Sequence, residues 1–144
     1  MKIIGIASDH AGFELKERLI EHLHAEGIAY KDFGTYSEER CDYSDFGHTL
    51  ALAVESGMCN FGIAVCGSGN GINITLNKHQ KIRAALCWTP EIARLAKAHN
   101  DANVLSLPGR FLTEKEAFEI VSAFLETPFE GGRHLGRIEK IPIV

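Results

Sequence analysis

The sequence FGIAVCGSGNG, residues 61–71, joins an apolar segment to a turn that contains three glycines. Residues 61–66 have the uninterrupted apolar character of a strand that is buried on both faces of a sheet. A segment with the spacing of a helix, residues 70–79, follows the turn directly. A buried strand, a glycine-rich turn and a helix in this order are typical of an α/β protein with a parallel sheet.

The same alternation extends over the whole chain in both directions. Four further strands are predicted at residues 2–8, 28–33, 82–87 and 103–107. Five further helices are predicted at residues 11–26, 43–57, 89–98, 113–126 and 131–140. We therefore predict one domain, residues 1–144, in which a five-stranded parallel sheet lies between two layers of helices. This is the three-layer, doubly wound α/β fold of the Rossmann and flavodoxin type.

Composition and charge exclude several classes of partner. The net charge of −4 provides no broad basic field for nucleic acid or for an anionic membrane. The chain has no stretch of about 18 apolar residues, and residues 3–7 are too short for the core of a signal peptide. The cysteines form no CxxC pair and suggest no zinc site: Cys41, Cys59, Cys66 and Cys87. We expect a reduced, cytoplasmic protein with no metal and no nucleic-acid or membrane partner.

Polar and titratable residues follow the predicted strands at their carboxyl ends, where doubly wound folds bind ligands. The segments concerned are Ser8-Asp9-His10-Ala11-Gly12, Cys66-Gly67-Ser68-Gly69-Asn70-Gly71 and Pro108-Gly109-Arg110. The glycines of the second segment allow the backbone to approach a ligand closely and to direct its N–H groups inward. The turn lacks the spacing of a dinucleotide fingerprint or of a P-loop. We therefore predict an anion hole for a small ligand, the alternative being an ordinary strand-to-helix turn.

Cys66 lies at the mouth of this turn. A thiolate close to a helix N-terminus is stabilised, so we expect the pKa of Cys66 to fall toward neutrality. Such a thiol can act as a nucleophile or as a general base, whereas the alternative is a buried structural cysteine. Ser68 offers a hydroxyl two residues further on, which can relay or position a proton.

Two histidines are candidate acid–base or anion-binding groups. His10 and His99 each lie at a predicted strand or helix end that we place on the ligand side of the sheet. We find no carboxylate–histidine set with the spacing of a metal site. Four other histidines have the positions of solvated helix residues: His22, His24, His48 and His79.

Three arginines are candidates for binding a phosphate group: Arg110, Arg133 and Arg137. Guanidinium groups match phosphate oxygens in a forked geometry. Arg133 and Arg137 are four residues apart and share one helix face. The alternative for this pair is a set of exposed helix charges with Glu130 and Glu139 as partners.

Seven motifs, in this order, form a highly specific combination: Ser8-Asp9-His10-Ala11-Gly12-Phe13, Asp42-Tyr43, Cys66-Gly67-Ser68-Gly69-Asn70-Gly71, Asn77-Lys78, Ile82-Arg83-Ala84, His99-Asn100-Asp101-Ala102-Asn103-Val104-Leu105 and Glu130-Gly131-Gly132-Arg133-His134. With these motifs, essentially the whole chain resembles the ribose-5-phosphate isomerase B family of sugar-phosphate isomerases (RpiB/LacAB).

The resemblance implies interconversion of ribose 5-phosphate and ribulose 5-phosphate, a step of the pentose phosphate pathway, without a cofactor. In such enzymes a base removes the proton from C2, which gives a cis-enediolate that is reprotonated at C1. Cys66 resembles this base, and Ser68 stands where the family often has a threonine that helps proton movement at O1 and C1. One branch of the family uses a glutamate instead, at a position that here holds Ile72, so the cysteine branch fits.

The resemblance also implies roles in binding. His99 resembles the residue that opens the furanose ring, assisted by Asp9 or Tyr43. Asn100 would hydrogen-bond to the enediolate region. Backbone N–H groups of the glycine-rich turn would stabilise the enediolate oxygen: those of Gly67, Gly69, Asn70 and Gly71. The phosphate-binding positions are matched by His10, Arg110, Arg133 and Arg137. Family members are homodimers or homotetramers whose sites are built from two subunits, and we expect the same here.

Two alternatives to this function remain open. One is an isomerase of a hexose phosphate, such as galactose 6-phosphate or allose 6-phosphate, because pocket depth decides between pentose and hexose substrates. The other is a non-catalytic nucleotide- or phosphate-binding module, which needs the glycine-rich turn and the arginines but no reactive thiol.

Overall fold

The computed structural model describes residues 1–143. Five strands form its sheet: β1 (Ile3–Ser8), β2 (Ala29–Asp32), β3 (Phe61–Cys66), β4 (Ala84–Leu86) and β5 (Val104–Pro108). Six α-helices lie in the same residues: α1 (Phe13–Ala25), α2 (Tyr43–Glu55), α3 (Asn70–Leu76), α4 (Pro90–Asn100), α5 (Glu114–Glu126) and α6 (Arg133–Ile138). Every predicted element is present, and its ends differ from the prediction by three residues or fewer. No helix of residues 1–143 has the length and apolarity that a bilayer crossing requires.

All five strands are parallel, and their order across the sheet is β2-β1-β3-β5-β4. The predicted fold class, a three-layer doubly wound α/β fold, is confirmed. The order differs at one edge from the 2-1-3-4-5 order of flavodoxin, because β5 lies between β3 and β4. With only three residues, β4 is the shortest strand, and as an edge strand it leaves few backbone groups unpaired.

Helices cover both faces of the sheet. On one face, Leu19 of α1 and Ile120 of α5 share a core cluster with Ile63 of β3, and α4 adds further apolar side chains. On the other face, Leu50 of α2 lies in a second cluster with Ala64 of β3, to which α3 also contributes. Adjacent residues of β3 thus point into different layers, as the alternation of side chains along a strand requires.

Local sequence signals explain where two of the helices begin. The Thr113 hydroxyl accepts a hydrogen bond from the Glu116 N–H, and the Glu116 carboxylate accepts one from the Thr113 N–H. This reciprocal capping box satisfies two backbone donors at the start of α5. At the start of α4, the Thr89 hydroxyl accepts from the Ile92 N–H, and Pro90 occupies the first turn, where its missing N–H costs nothing.

The sheet order creates a crevice at the carboxyl ends of β1 and β3. β1 lies between β2 and β3 in the sheet. The chain therefore goes from β1 to its neighbour β2 on one side, and then crosses back to β3, the neighbour of β1 on the other side. Ligands of doubly wound proteins bind at such a reversal of strand order. A ligand site is therefore expected at the segments after these two strands, residues 9–12 and 67–69.

Candidate active site

Three strand ends meet at the carboxyl edge of the sheet. Ser8 of β1 is in register with Val65 of β3, and Cys66 of β3 is in register with Pro108 of β5. The segments that directly follow these strands therefore lie side by side. They bring Asp9, the glycine-rich turn and Arg110 to one edge.

Close contacts require glycine at two positions of the turn. Gly69 has a φ of +77°, and a Cβ there would lie 2.4 Å from Leu86 Cδ1. A Cβ on Gly71 would lie 2.5 Å from Tyr43 Cζ, because the phenol ring packs directly against this residue. The absence of side chains lets the turn fold tightly around the end of β3.

The sulfur of Cys66 faces the inside of this turn. Cys66 is only 4% exposed, yet the backbone N–H groups of Ile72, Gly69 and Gly71 are directed at its sulfur. The other two buried cysteines differ in this respect. Burial raises the pKa of Cys87 to about 12, and burial likewise raises the pKa of Cys59, with no amide hydrogen bond opposing it at either thiol. Cys66 is thus the buried cysteine whose thiolate is stabilised by backbone N–H groups, whereas Cys59 has only the positive charge of Lys31.

Burial nevertheless raises the pKa of the Cys66 thiol above its ordinary value, since desolvation penalises the thiolate. The Ile72, Gly69 and Gly71 amides lower the pKa in part, while the negative charge of Asp9 raises it further. The expectation that the pKa of Cys66 falls toward neutrality is therefore wrong. The turn supplies the predicted donors, but the loss of water around the sulfur outweighs them.

Ser68 lies next to the thiol in sequence but is exposed. Its Oγ accepts hydrogen bonds from the backbone N–H of Asn70 at 3.3 Å and from Asn70 Nδ2 at 3.2 Å. Both bonds use the lone pairs of the hydroxyl, so its own proton remains available for donation. Asn70 therefore orients the Ser68 hydroxyl, which is exposed on the turn.

Asp9 and His10 are held by the main chain. The Gly12 N–H donates to Asp9 Oδ1 at 3.0 Å, and Asp9 is buried. His10 Nδ1 lies 3.2 Å from both the N and the O of Cys41. Nδ1 can accept from the Cys41 N–H or, when it carries the proton, donate to the Cys41 carbonyl. This contact uses Nδ1 and leaves Nε2 for another group.

Arg110 and Tyr43 flank the turn from two sides. The Arg110 N–H donates to the Gly67 carbonyl at 3.0 Å, and its guanidinium would lie 3.2 Å from a Cβ on Gly67. Tyr43 begins α2 and covers Gly71. A cavity of 310 Å³ is lined by Arg110 with Ala11, but Cys66 does not line it. One positive and one phenolic group thus stand beside the turn within a single chain.

His99 and Asn100 lie at the opposite edge of the sheet, which corrects the placement predicted from the sequence. Both belong to the last turn of α4, which ends just before β5 begins at Val104. The five residues of β5 span roughly 16 Å at about 3.3 Å each, and this length separates the two edges. A helix between parallel strands runs back across the sheet, so its C-terminus is at the amino edge. The structure therefore does not bring His99 or Asn100 together with Cys66 in one chain.

Arg133 and Arg137 lie beside His99 and not beside Cys66. Both are exposed on α6, and His134 of the same helix stacks on the His99 ring at 4.4 Å between centroids. Among the described residues 1–143, neither arginine forms an ion pair with Glu130 or Glu139. Their charges remain free for another group.

Sequence reasoning missed two members of the cluster around His99. Glu130, His134 and His99 offer ligand atoms that all lie within 4.8 Å of one another, which makes them the set in residues 1–143 that could hold a metal ion. Glu130 and His134 are four residues apart in sequence. The sequence shows that spacing, but the proximity of this pair to His99 depends on the packing of α6 against α4.

Fold and site together define a class of protein. A thiol and a carboxylate lie at the switch point of a doubly wound sheet, beside an amide-rich turn that a cationic side chain flanks. This combination is typical of enzymes that act on small ligands.

Comparison with known proteins specifies the class further. The sequence model described as ribose/galactose isomerase matches residues 4–141. Ribose-5-phosphate isomerase B of Escherichia coli strain K12 is 43% identical over 144 residues, which cover 100% of this chain and 97% of that protein. The chain belongs to the ribose/galactose isomerase family.

Solved structures of relatives have the same fold. A ribose 5-phosphate isomerase from Thermotoga maritima superposes with a TM-score of 0.98 at 51% identity, over 99% of each chain. Ribose-5-phosphate isomerase B from Mycoplasma genitalium with bound ribulose-5-phosphate superposes with a TM-score of 0.92 at 42% identity, over 96% of this chain and 93% of that one.

Proposed function

We propose that this protein interconverts ribose 5-phosphate and ribulose 5-phosphate. Its membership of the ribose/galactose isomerase family and the ribulose-5-phosphate bound to the Mycoplasma genitalium relative support this substrate. The observation that carries the proposal is the position of the Cys66 sulfur, which three backbone N–H groups face at the switch point of the sheet. A non-catalytic binding module has no need of a thiol in that place.

In the proposed reaction, the Cys66 thiolate removes the proton from C2 of the open-chain aldose. The electron pair of that bond forms the C1–C2 double bond of a cis-enediolate, and the thiol then returns the proton to C1. The Ser68 hydroxyl passes a proton between the oxygens on C1 and C2. Atoms and electrons balance within the sugar, so no redox partner takes part. Proton transfer by a positioned group contributes about 10²–10⁴-fold to a rate.

The N–H groups of the turn divide into three sets. Those of Gly69, Gly71 and Ile72 face the Cys66 sulfur, and that of Asn70 donates to Ser68. We assign stabilisation of the enediolate oxygen to the remaining N–H groups of the turn, at residues 67 and 68. Fixed donors of this kind cost no reorganisation when negative charge develops on the substrate.

The rest of the site is proposed to come from a second copy of the chain. Within one chain, His99, Asn100, Arg133 and Arg137 lie at the edge opposite to Cys66. In a two-fold homodimer, a contact between the amino edge of one subunit and the carboxyl edge of the other occurs twice. His99 would then open the sugar ring, with Asn100 at the enediolate region and the arginines on the phosphate group. His10 and Arg110 would bind the same phosphate from the first subunit.

We place this reaction in the cytoplasm, because a reducing compartment keeps thiols free. All four cysteines, Cys41, Cys59, Cys66 and Cys87, are free in the structure.

A ketose-formation assay on the purified protein tests the proposed function. We expect a higher kcat/KM with ribose 5-phosphate than with galactose 6-phosphate or allose 6-phosphate. A higher kcat/KM with either hexose phosphate would reassign the substrate. Binding of these sugars without any ketose product would show a binding module instead.

A further inference from the structure

One carboxylate faces two stacked histidines at the amino edge of the sheet. The rings of His99 and His134 lie 4.4 Å apart between centroids, with 16° between their planes. Glu130 Oε2 lies 3.8 Å from His99 Nε2, and Glu130 Oε1 lies 3.4 Å from His134 Nε2. The carboxylate therefore offers one oxygen to the same nitrogen of each ring.

The main chain holds Glu130 in this position. The Glu130 N–H donates to the carbonyl of Ala98, the residue before His99, at 3.0 Å. Gly131 and Gly132 have φ values of +72° and +58°, and this turn starts α6 so that His134 comes back beside Glu130. The Glu130 side chain is 53% exposed, so its place depends on these backbone contacts and not on burial.

The stacking of the two rings favours an ion-pair contact with Glu130 over a bound metal. A metal ion at this cluster would need the in-plane lone pairs of both imidazoles to converge on one point. Nearly parallel stacked rings direct these lone pairs side by side. His134 is 5% exposed, and among residues 1–143 its Nε2 forms no hydrogen bond, so its 3.4 Å approach to Glu130 Oε1 is an ion-pair contact. Glu130 is thus the acceptor that both Nε2 atoms face.

We infer that Glu130 is a positioning residue that orients His99 for opening the sugar ring. This inference rests on the proposed function. The negative charge of a carboxylate attracts an N–H group and repels a nitrogen lone pair, so at 3.8 Å Glu130 favours the His99 tautomer with its proton on Nε2. In that tautomer, Nδ1 is left as the proton acceptor. His134 limits the rotation of the His99 ring by stacking on it.

This arrangement fits the proton transfers that ring opening requires. Nδ1 of His99 takes the proton of the hydroxyl on C1, the C1–O4 bond breaks as the C1 carbonyl forms, and the proton passes from Nδ1 to O4. Overall, the number of protons and electrons in the sugar does not change. While Nδ1 holds the proton, the imidazole ring is positively charged, and the carboxylate behind it offsets this charge.

The test uses the dependence of rate on enzyme concentration. A variant that opens the ring poorly relies on spontaneous opening of ribose 5-phosphate in water, which adding more enzyme cannot accelerate. For Glu130→Gln we expect a turnover lowered by about 10²-fold, the low end for acid–base groups. Its rate should also stop rising in proportion to enzyme concentration. His99→Ala should show the same curvature, and adding Glu130→Gln to it should cause no further loss.

The matched control is Glu139→Gln, which removes the same charge from the exposed end of α6. Its rate should stay proportional to enzyme concentration with the wild-type slope. Partial unfolding of Glu130→Gln would lower the slope but leave it linear, so curvature reports on ring opening alone. A linear rate for Glu130→Gln, at any slope, would overturn the inference. An inactive wild-type protein would instead refute the proposed function.

Discussion

Asp9 directly follows β1, Cys66 ends the neighbouring strand β3, and the carboxylate of Asp9 raises the pKa of the Cys66 thiol. Asp9 is itself buried, and its Oδ1 accepts a hydrogen bond from the Gly12 N–H at 3.0 Å. One negative charge at this site disfavours the thiolate, whereas the amides of the glycine-rich turn favour it. Because burial also disfavours the thiolate, the thiol is the predominant form at neutral pH.

This balance predicts how alkylation of Cys66 depends on pH. The reactive form is the thiolate, and the pKa is raised, so reactivity should rise with pH beyond the ordinary thiol value of about 8.5. Asp9→Asn removes the charge but keeps an oxygen for the Gly12 N–H, so the midpoint should move to lower pH. Iodoacetamide labelling of residue 66, followed by mass spectrometry across a pH series, measures both midpoints.

Asp45→Asn is the control for this experiment, because Asp45 is exposed in the first turn of α2. It should leave the labelling midpoint of Cys66 where it is in the wild type. If Asp9→Asn left the midpoint unchanged or raised it, the carboxylate would not act on the thiol as described.

Gly69 offers a test of the packing that shapes the turn. In Gly69→Ala, the left-handed backbone should cost about 1–2 kcal/mol. The clash of the new Cβ with Leu86, at 2.4 Å, should add about 1–3 kcal/mol. Urea denaturation measures the free energy of unfolding.

Gly27→Ala is the matched control, since Gly27 has a φ of +70° but no atom within 4 Å of an added Cβ. It should show the backbone cost alone. Equal losses for the two variants would mean that Leu86 moves aside freely and does not confine the turn.

Much of the fold follows from local patterns in the sequence. Apolar strands alternate with amphipathic helices, and Thr113 and Thr89 mark the starts of α5 and α4 as helix-capping rules predict. The order of β4 and β5 did not follow from these patterns. It depends on which strand packs against β3, a contact between segments far apart in the chain.

The site was less predictable, for two physical reasons. The pKa of Cys66 depends on how much water the folded chain removes from the sulfur, and a sequence motif does not contain that quantity. The position of His99 depends on the direction in which α4 crosses the sheet, and this direction puts the residues after α4 at the amino edge. Motif order along the chain placed His99 near Cys66, whereas the topology separates them.

The separation of Cys66 from His99 predicts complementation between impaired subunits. As pure dimers, Cys66→Ala should lack the base and His99→Ala should turn over only as fast as the sugar ring opens spontaneously. A mixed dimer, purified through a different tag on each subunit, has one site with both changes and one site with neither. It should therefore show about half of the wild-type activity, as two-fold symmetry requires. A mixed dimer no more active than its parents would indicate that both residues act within one chain.

A matched pair of variants tests the role of Cys66 as the base. Cys66→Ala removes the thiol that the amides of the turn face, and Cys59→Ala removes a buried thiol that has no such contacts. The second variant should keep wild-type turnover per folded subunit, which controls for the loss of a buried sulfur.

The most direct measurement is the turnover of ribose 5-phosphate by Cys66→Ala, together with the affinity of the same protein for ribose 5-phosphate by calorimetry. We expect turnover to fall by about 10²–10⁴-fold, as for loss of a general base. The affinity should stay close to that of the wild type, because the phosphate-binding groups are untouched. Turnover at the wild-type level would contradict the assignment of Cys66 as the base.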